Sequence, residues 1–204
     1  AAITKIQASA SRIGGNTPAA ERLQLISEVL GLSWSLAFTG RLPAALAEGL
    51  RRFVAWVGKD LDCTAAHDDN VCHNEAVDAW LPGVPYAVVN LPGMMVVFKP
   101  QDWEVNRGDP DVYRQRVEWH LLSDWVLRAL PGARFPLVHS YEFDFGFIHR
   151  LDVPSSGLVL TAKTFAGHAS LRFQLDTQSV CREYIIVCVD PCSLLRAALT
   201  GQVS

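Results

Sequence analysis

The spacing of apolar residues divides the chain into a helical first part and a strand-rich second part. Leu23, Ile26, Leu30 and Trp34 recur at helical intervals, with Leu25, Leu32 and Leu36 widening the stripe. Thr17, with Pro18 just inside, suits a helix start. Gly40 to Pro43 interrupts the pattern. Leu46, Leu50, Phe53, Val54 and Val57 then share one face of a second helix, so residues 1–58 read as an αα-hairpin region. A shorter helical pattern over residues 2–13 (Ile3, Ile6, Ile13) precedes it and ends in the loop Gly14-Gly15-Asn16-Thr17-Pro18.

From Leu81 the texture changes. Tyr86-Ala87-Val88-Val89 and Met94-Met95-Val96-Val97-Phe98 read as strands joined through Asn90-Leu91-Pro92-Gly93, and Lys99-Pro100 ends the second. Val117, Leu121, Leu122, Trp125 and Ala129 predict a helix that stops at Pro131-Gly132, with Arg114, Glu118 and Asp124 on its opposite face. Alternating Phe143, Phe145 and Phe147 suit the buried side of a strand. Leu158-Val159-Leu160 reads as another strand. Thr164 is placed to cap a helix over about residues 165–176, where Leu171 and Leu175 are one turn apart. The β-branched run Arg182-Glu183-Tyr184-Ile185-Ile186-Val187-Cys188-Val189 predicts a last strand. The fold class expected is α+β: a mixed, mainly antiparallel sheet over residues 81–204, preceded by a small α-helical region.

Composition narrows this picture. Half of the 204 residues are hydrophobic, enough for a core and too many for a disordered tail. No apolar run approaches membrane-spanning length, so no membrane partner is expected. The net charge is −3, and basic and acidic side chains nearly balance in both parts of the chain. That excludes a nucleic-acid binder acting through bulk charge, but not one with a local positive groove. Five cysteines without framework spacing point to a reducing, intracellular compartment. A first residue that is not Met and an open C-terminal end suggest a piece of a longer chain.

Residues 59–80 form an acidic stretch with Cys63, His67, Cys72 and His73. Paired metal-ligand spacings are absent and adjacent Cys72-His73 suits a tetrahedral site poorly, so the stretch reads as a linker and no metal site is expected.

The stretch with chemistry in it is Ile148-His149-Arg150-Leu151-Asp152-Val153-Pro154-Ser155-Ser156-Gly157. A cation and a carboxylate stand two residues apart. A Pro-Ser-Ser-Gly turn follows and can hold Asp152 in one pose, since Pro fixes φ and the hydroxyls bond backbone groups. Read by spacing alone, Arg150 and Asp152 would be a weak exposed ion pair on a surface turn.

The order His149-Arg150-Leu151-Asp152, two residues, then Ser155-Ser156-Gly157 and Leu158 resembles the signature of the RluA family of RNA pseudouridine synthases. Ser155 stands where that family usually has Thr, which keeps the hydroxyl. Ala162-Lys163-Thr164 falls where the family has it, and Val97-Phe98-Lys99-Pro100 resembles its early Lys-Pro motif. Arg182 and Tyr184 match a basic residue, one spacer and a tyrosine, with Arg where Lys is usual. The resemblance covers roughly residues 85–190. Separately, Gly31-Leu32-Ser33-Trp34-Ser35-Leu36-Ala37-Phe38 resembles part of an octatricopeptide-type helical repeat, a class associated with RNA in mitochondria and plastids.

The resemblance implies a sheet of the pseudouridine synthase type and the isomerisation of uridine to pseudouridine in structured RNA, rRNA or tRNA. That reaction breaks an N-glycosidic bond and joins carbon to carbon within the same nucleotide, with no net redox change, so no cofactor is demanded. It needs a shielded carboxylate, and Asp152 is the candidate. Turning the uridine out of its stack costs roughly a few kcal/mol. The resemblance gives Arg150 the role of filling the vacated space and Tyr184 that of covering the uracil, with Arg182 and His149 completing the substrate-binding set.

The family's domain continues well past its tyrosine strand with motifs that close the sheet, whereas only 20 residues follow Tyr184 here and none matches them. A second expectation therefore stands beside the first: an RNA-binding or scaffold protein that keeps the fold without the chemistry. An unrelated hydrolase using Asp152 and His149 would lack a G-x-S-x-G elbow.

Overall fold

A computed structural model describes residues 17–62, 81–106 and 120–186. The predicted helix at 2–13, the cluster Cys63, His67, Cys72 and His73, Arg114, Val117 and Glu118, and residues 187–189 of the predicted last strand lie outside the described residues.

The helical hairpin forms as the periodicity predicts. Helix α1 is Ala19–Phe38 and α2 is Ala44–Asp62. Leu25, Ile26, Val29 and Leu30 of α1 pack on Val54, Val57 and Leu61 of α2. Trp34 departs from its expected place in the stripe. It is 52% exposed and stacks on Phe38, itself 71% exposed, at 5.4 Å. The pair lies near the end of α1, where the buried stripe has run out after Ser33.

The second part contains an antiparallel sheet in the order β1-β2-β5, with β1 Tyr86–Leu91, β2 Met94–Lys99 and β5 Gly157–Ala162. Strands β1 and β2 are the predicted hairpin, turning at Pro92-Gly93. A long-range pairing then brings β5 beside β2, with Met94 opposite Ala162 and Lys99 opposite Gly157. Two short parallel strands, β3 Trp103–Glu104 and β4 His120–Leu121, lie apart from it. Helix α3, Leu122–Ala129, buries Leu122, Trp125 and Val126, and helix α4 is Phe165–Asp176. Val88, Val89, Leu91 and Leu158 leave apolar surface of the sheet exposed.

The core beneath the sheet gathers Met95, Val97, Val159, Leu122, Val126, Leu137, Val138, Phe147, Ile148 and Leu171. Helix α4 joins this core to the hairpin, because Leu171 points into the first cluster and Ala169 and Phe173 into the second. Thr164 caps α4 as predicted, accepting the Gly167 N–H at 3.1 Å. A second cap comes from far away in sequence. The Asp62 carboxylate accepts the N–H groups of Phe165 at 2.7 Å and Ala166 at 3.0 Å. Carboxylates are favoured at a helix start because its first amides lack intrahelical partners.

Three sequence expectations are corrected. The acidic linker does not begin at residue 59, since Asp60 and Asp62 belong to α2, where Asp60 also pairs with the buried Arg22. Phe143 and Phe145 lie in the kinked 3-10 segment Tyr141–Gly146, not in a strand. Asp144 and Phe145 take φ of 49° and 55°, which no strand allows, and the Phe143 and Phe145 rings still pack against the core. Only Phe147 pairs with a strand, through a single bridge to Thr161. Gly146 makes this approach possible: its φ is 84°, and a Cβ there would stand 2.3 Å from the Ala162 carbonyl oxygen. Lastly, residues 182–186 form no strand, and the exposed Ile185 and Ile186 are paired with none of the described strands. β-branched composition supplies strand preference but no ladder partner, and the side of β5 away from β2 is already lined by the Phe147–His149 segment.

Candidate active site

The motif loop is a departure from the sheet and a return to it. Phe147 and Ile148 lie along β5, with the Ile148 N–H donating to the Leu160 carbonyl at 3.0 Å. The chain leaves at His149. It reverses through Asp152–Ser155, where the Ser155 N–H donates to the Asp152 carbonyl at 3.0 Å, and re-enters β5 at Gly157. Gly157 has φ 149°, so the re-entry uses a conformation costly for any side chain.

Lys99 holds this loop from beneath. Its side chain is fully buried at the end of β2, and Nζ donates to the carbonyls of Trp103 at 2.7 Å, Pro100 at 3.1 Å and Val153 at 3.2 Å. The Asp102 N–H donates to the same Val153 carbonyl at 2.9 Å. Burial pushes the Lys99 pKa down, while the negative charges of Asp102 and Asp152 push it up. The ammonium is thus tied to the backbone one residue past Asp152 and lies within the field of the Asp152 carboxylate.

The sequence-predicted residues divide between three places. Asp152, expected to be shielded, is instead exposed at the rim of the loop, where Pro154, Ser155 and Ser156 beside it are exposed too. Arg150 makes no ion pair with it, so the simple surface pair is not what forms; its Nη2 donates instead to the Asn106 carbonyl. His149 is half-buried, and its Nε2 accepts the Leu160 N–H at 3.2 Å. Burial first, and then the positive charge of Arg182, lower the His149 pKa, while the Arg150 backbone raises it. Arg182 therefore lies near enough to act on the motif. Tyr184 is 60% exposed on the segment after Arg182.

A cleft of about 240 Å³ opens beside the loop, lined by Val105, Asn106, Asp144, Phe147, Ile148, His149, Arg150 and Arg172. It is smaller than the ~300–1,000 Å³ of ordinary ligand pockets. It takes in Arg150 and His149, whereas Asp152, Arg182 and Tyr184 are not among its lining residues. Asn106, Asp144 and Arg172 had no mark in the sequence: they come from three separate segments, and only the tertiary structure brings them to one cleft. Lys99 carried a signal in the Lys-Pro motif, which read in isolation is only a strand stop. Among the described residues no group of three His, Cys, Asp or Glu side chains could hold a metal ion. No described helix is long and apolar enough to cross a membrane.

In chemical terms the loop carries a carboxylate on its exposed rim, a guanidinium and an imidazole in the neighbouring cleft, and a buried ammonium bound to its backbone. That combination suits acid–base or nucleophilic work on a polar substrate arriving from solvent. Comparison with known proteins agrees with the motif order. Searches of curated proteins and of solved structures return no match. The family of RNA pseudouridylate synthases matches residues 93–201, more than half of the chain, from the hairpin turn through the Lys-Pro motif, the Asp152 loop and beyond Tyr184. The chain belongs to the RNA pseudouridylate synthase family, a family of isomerases that make pseudouridine in RNA.

Proposed function

We propose that this protein isomerises uridine in structured RNA, rRNA or tRNA, with Asp152 as the catalytic carboxylate. The observation that carries the reading is the anchoring of the Asp152–Ser155 turn by the buried Lys99, which presents an exposed carboxylate from a rigid support. An open rim suits a substrate that is itself a macromolecule, because the RNA can supply the far wall of the site and exclude water.

In this reading a uridine turned out of its stack meets Asp152 at its sugar–base linkage. Asp152 attacks the nucleotide or takes its proton, the N-glycosidic bond breaks, and the base reattaches through carbon. The proton lost from that carbon is balanced by one gained on the released nitrogen, so the sum is an isomerisation. Arg150 exchanges its Asn106 carbonyl for the space or the phosphates of the displaced nucleotide, a role suited to a planar guanidinium. Tyr184 covers the uracil, where stacking contributes ~1–3 kcal/mol per base. Arg182, whose charge reaches His149, adds a phosphate contact near the motif.

The test is pseudouridine formation in rRNA and tRNA transcripts by the chain and by Asp152→Asn and Asp152→Ala. Both variants are expected to bind RNA and to make no pseudouridine. Modification retained by either variant removes Asp152 from the chemistry.

A further inference from the structure

In an antiparallel pair, two closely facing residues exchange both of their backbone hydrogen bonds. Ile148 and Leu160 face one another next to the Phe147–Thr161 bridge, yet they exchange only one. The Ile148 N–H reaches the Leu160 carbonyl at 3.0 Å. The returning donor, the Leu160 N–H, goes to Nε2 of the His149 ring at 3.2 Å. The imidazole thus takes the acceptor position that the neighbouring backbone carbonyl would fill.

Two consequences follow from this substitution. To accept an N–H, Nε2 must carry no proton, so the ring is the neutral tautomer with its hydrogen on Nδ1. Nδ1 is enclosed by protein, and both the burial and the charge of Arg182 oppose a second proton on the ring. Moreover, a β5 amide is satisfied without the backbone at 148–149 having to continue the ladder. The chain can leave the sheet at His149 while remaining tied to it. Arg150 is the next residue, and Asp152 is two further.

We propose that His149 is a positioning residue: its Nε2 pins the chain to Leu160 of β5 where Arg150 to Asp152 leave the sheet, and so sets the position of the Asp152 carboxylate. His149 then acts on RNA only through that loop and leaves the substrate-binding set. The inference rests on Asp152 being the reacting group. Lys99 and His149 hold the loop from its two ends, the lysine after Asp152 and the imidazole before it.

The experiment uses the full chain with ¹⁵N-labelled histidine and three readouts. The first is the ring ¹⁵N shifts of His149 in the wild type at neutral pH. Nδ1–H with bare Nε2 is expected; a proton on Nε2 overturns the proposal without any variant having to fold. The second is amide exchange at Leu160 in His149→Phe, which keeps a ring without an acceptor, and in His149→Gln, whose side-chain carbonyl reaches near the Nε2 position. Exchange should quicken in the first and stay slow in the second, and unchanged exchange in both overturns the pin. The third is turnover on an RNA transcript that the wild type modifies. His149→Phe should lower kcat by about 10- to 100-fold with KM nearly unchanged, as expected for a misplaced reacting group, and His149→Gln should restore most of it. A raised KM with kcat intact would instead return His149 to the RNA contacts. A wild type that modifies no RNA overturns the functional reading, and with it the positioning role, while the first two readouts still decide the bond to Leu160.

Discussion

The Nζ of Lys99 lies 3.2 Å from the carbonyl oxygen of Val153, a residue 54 positions further along the chain. This one bond joins the two family motifs physically: the buried lysine that ends β2 secures the turn that presents Asp152. The same ammonium reaches the Trp103 and Pro100 carbonyls, so three backbone acceptors converge on one side chain.

Replacing Lys99 with Met keeps most of the stem's packing and removes the cation. The Trp103 and Pro100 carbonyls lose this donor, whereas the Val153 carbonyl keeps the Asp102 N–H, and buried unsatisfied groups are costly. Lys99→Met should therefore lower stability by about 2–4 kcal/mol, measured by urea unfolding. Turnover should fall by more than the loss of folded protein explains, because the Asp152 turn is released. A variant with wild-type stability and turnover would show that the loop holds itself.

Asp62 makes the N-terminal hairpin part of the structural support for α4. Asp62→Ala removes the acceptor for the Phe165 and Ala166 N–H groups, whereas Thr164 continues to serve Gly167. The expected loss is about 0.5–2 kcal/mol, the range for a helix N-cap, with faster amide exchange at Phe165 and Ala166. Exchange unchanged at both amides would show that Asp62 is dispensable to the helix start.

His168 supplies a pH dependence with a definite sign. It packs edge-on to the Phe143 ring at 5.3 Å, and burial first, then the charge of Arg172, lower its pKa to about 4. The folded state thus resists a proton that the unfolded chain accepts near pH 6.5. Stability from this residue is complete above pH 6.5 and is lost as the pH falls through 6.5 toward 4. The loss should reach about 1–2 kcal/mol by pH 5. His149, whose pKa is also lowered, adds in the same direction. Urea unfolding at pH 7.5 and pH 5 should show the drop, and His168→Gln should flatten much of it. An equal slope in the variant would assign the dependence elsewhere.

How much of this was readable in the chain differs from element to element. The β1–β2 hairpin, β5 and the bounds of α4 with its Thr164 cap were legible because turn residues, strand alternation and capping act over a few neighbouring residues. The order of the motif residues around Asp152 was legible in the same way, and it named the family that residues 93–201 then matched. Other features answer to distant partners. Trp34 faces outward because the stripe of α1 ends at Ser33, and Phe143 and Phe145 left their predicted strand for turns packed on the core. Arg182–Ile186 has strand composition and no ladder. Lys99 under Val153, Asp62 at the start of α4 and the His149 ring on Leu160 each join residues at least 11 apart, the last across the motif loop. Local sequence determined the hairpin, β5, the capped helix and which side chains could do chemistry. The tertiary structure decided which buried donors and acceptors meet, because that depends on how the segments pack and not on their neighbours in the chain.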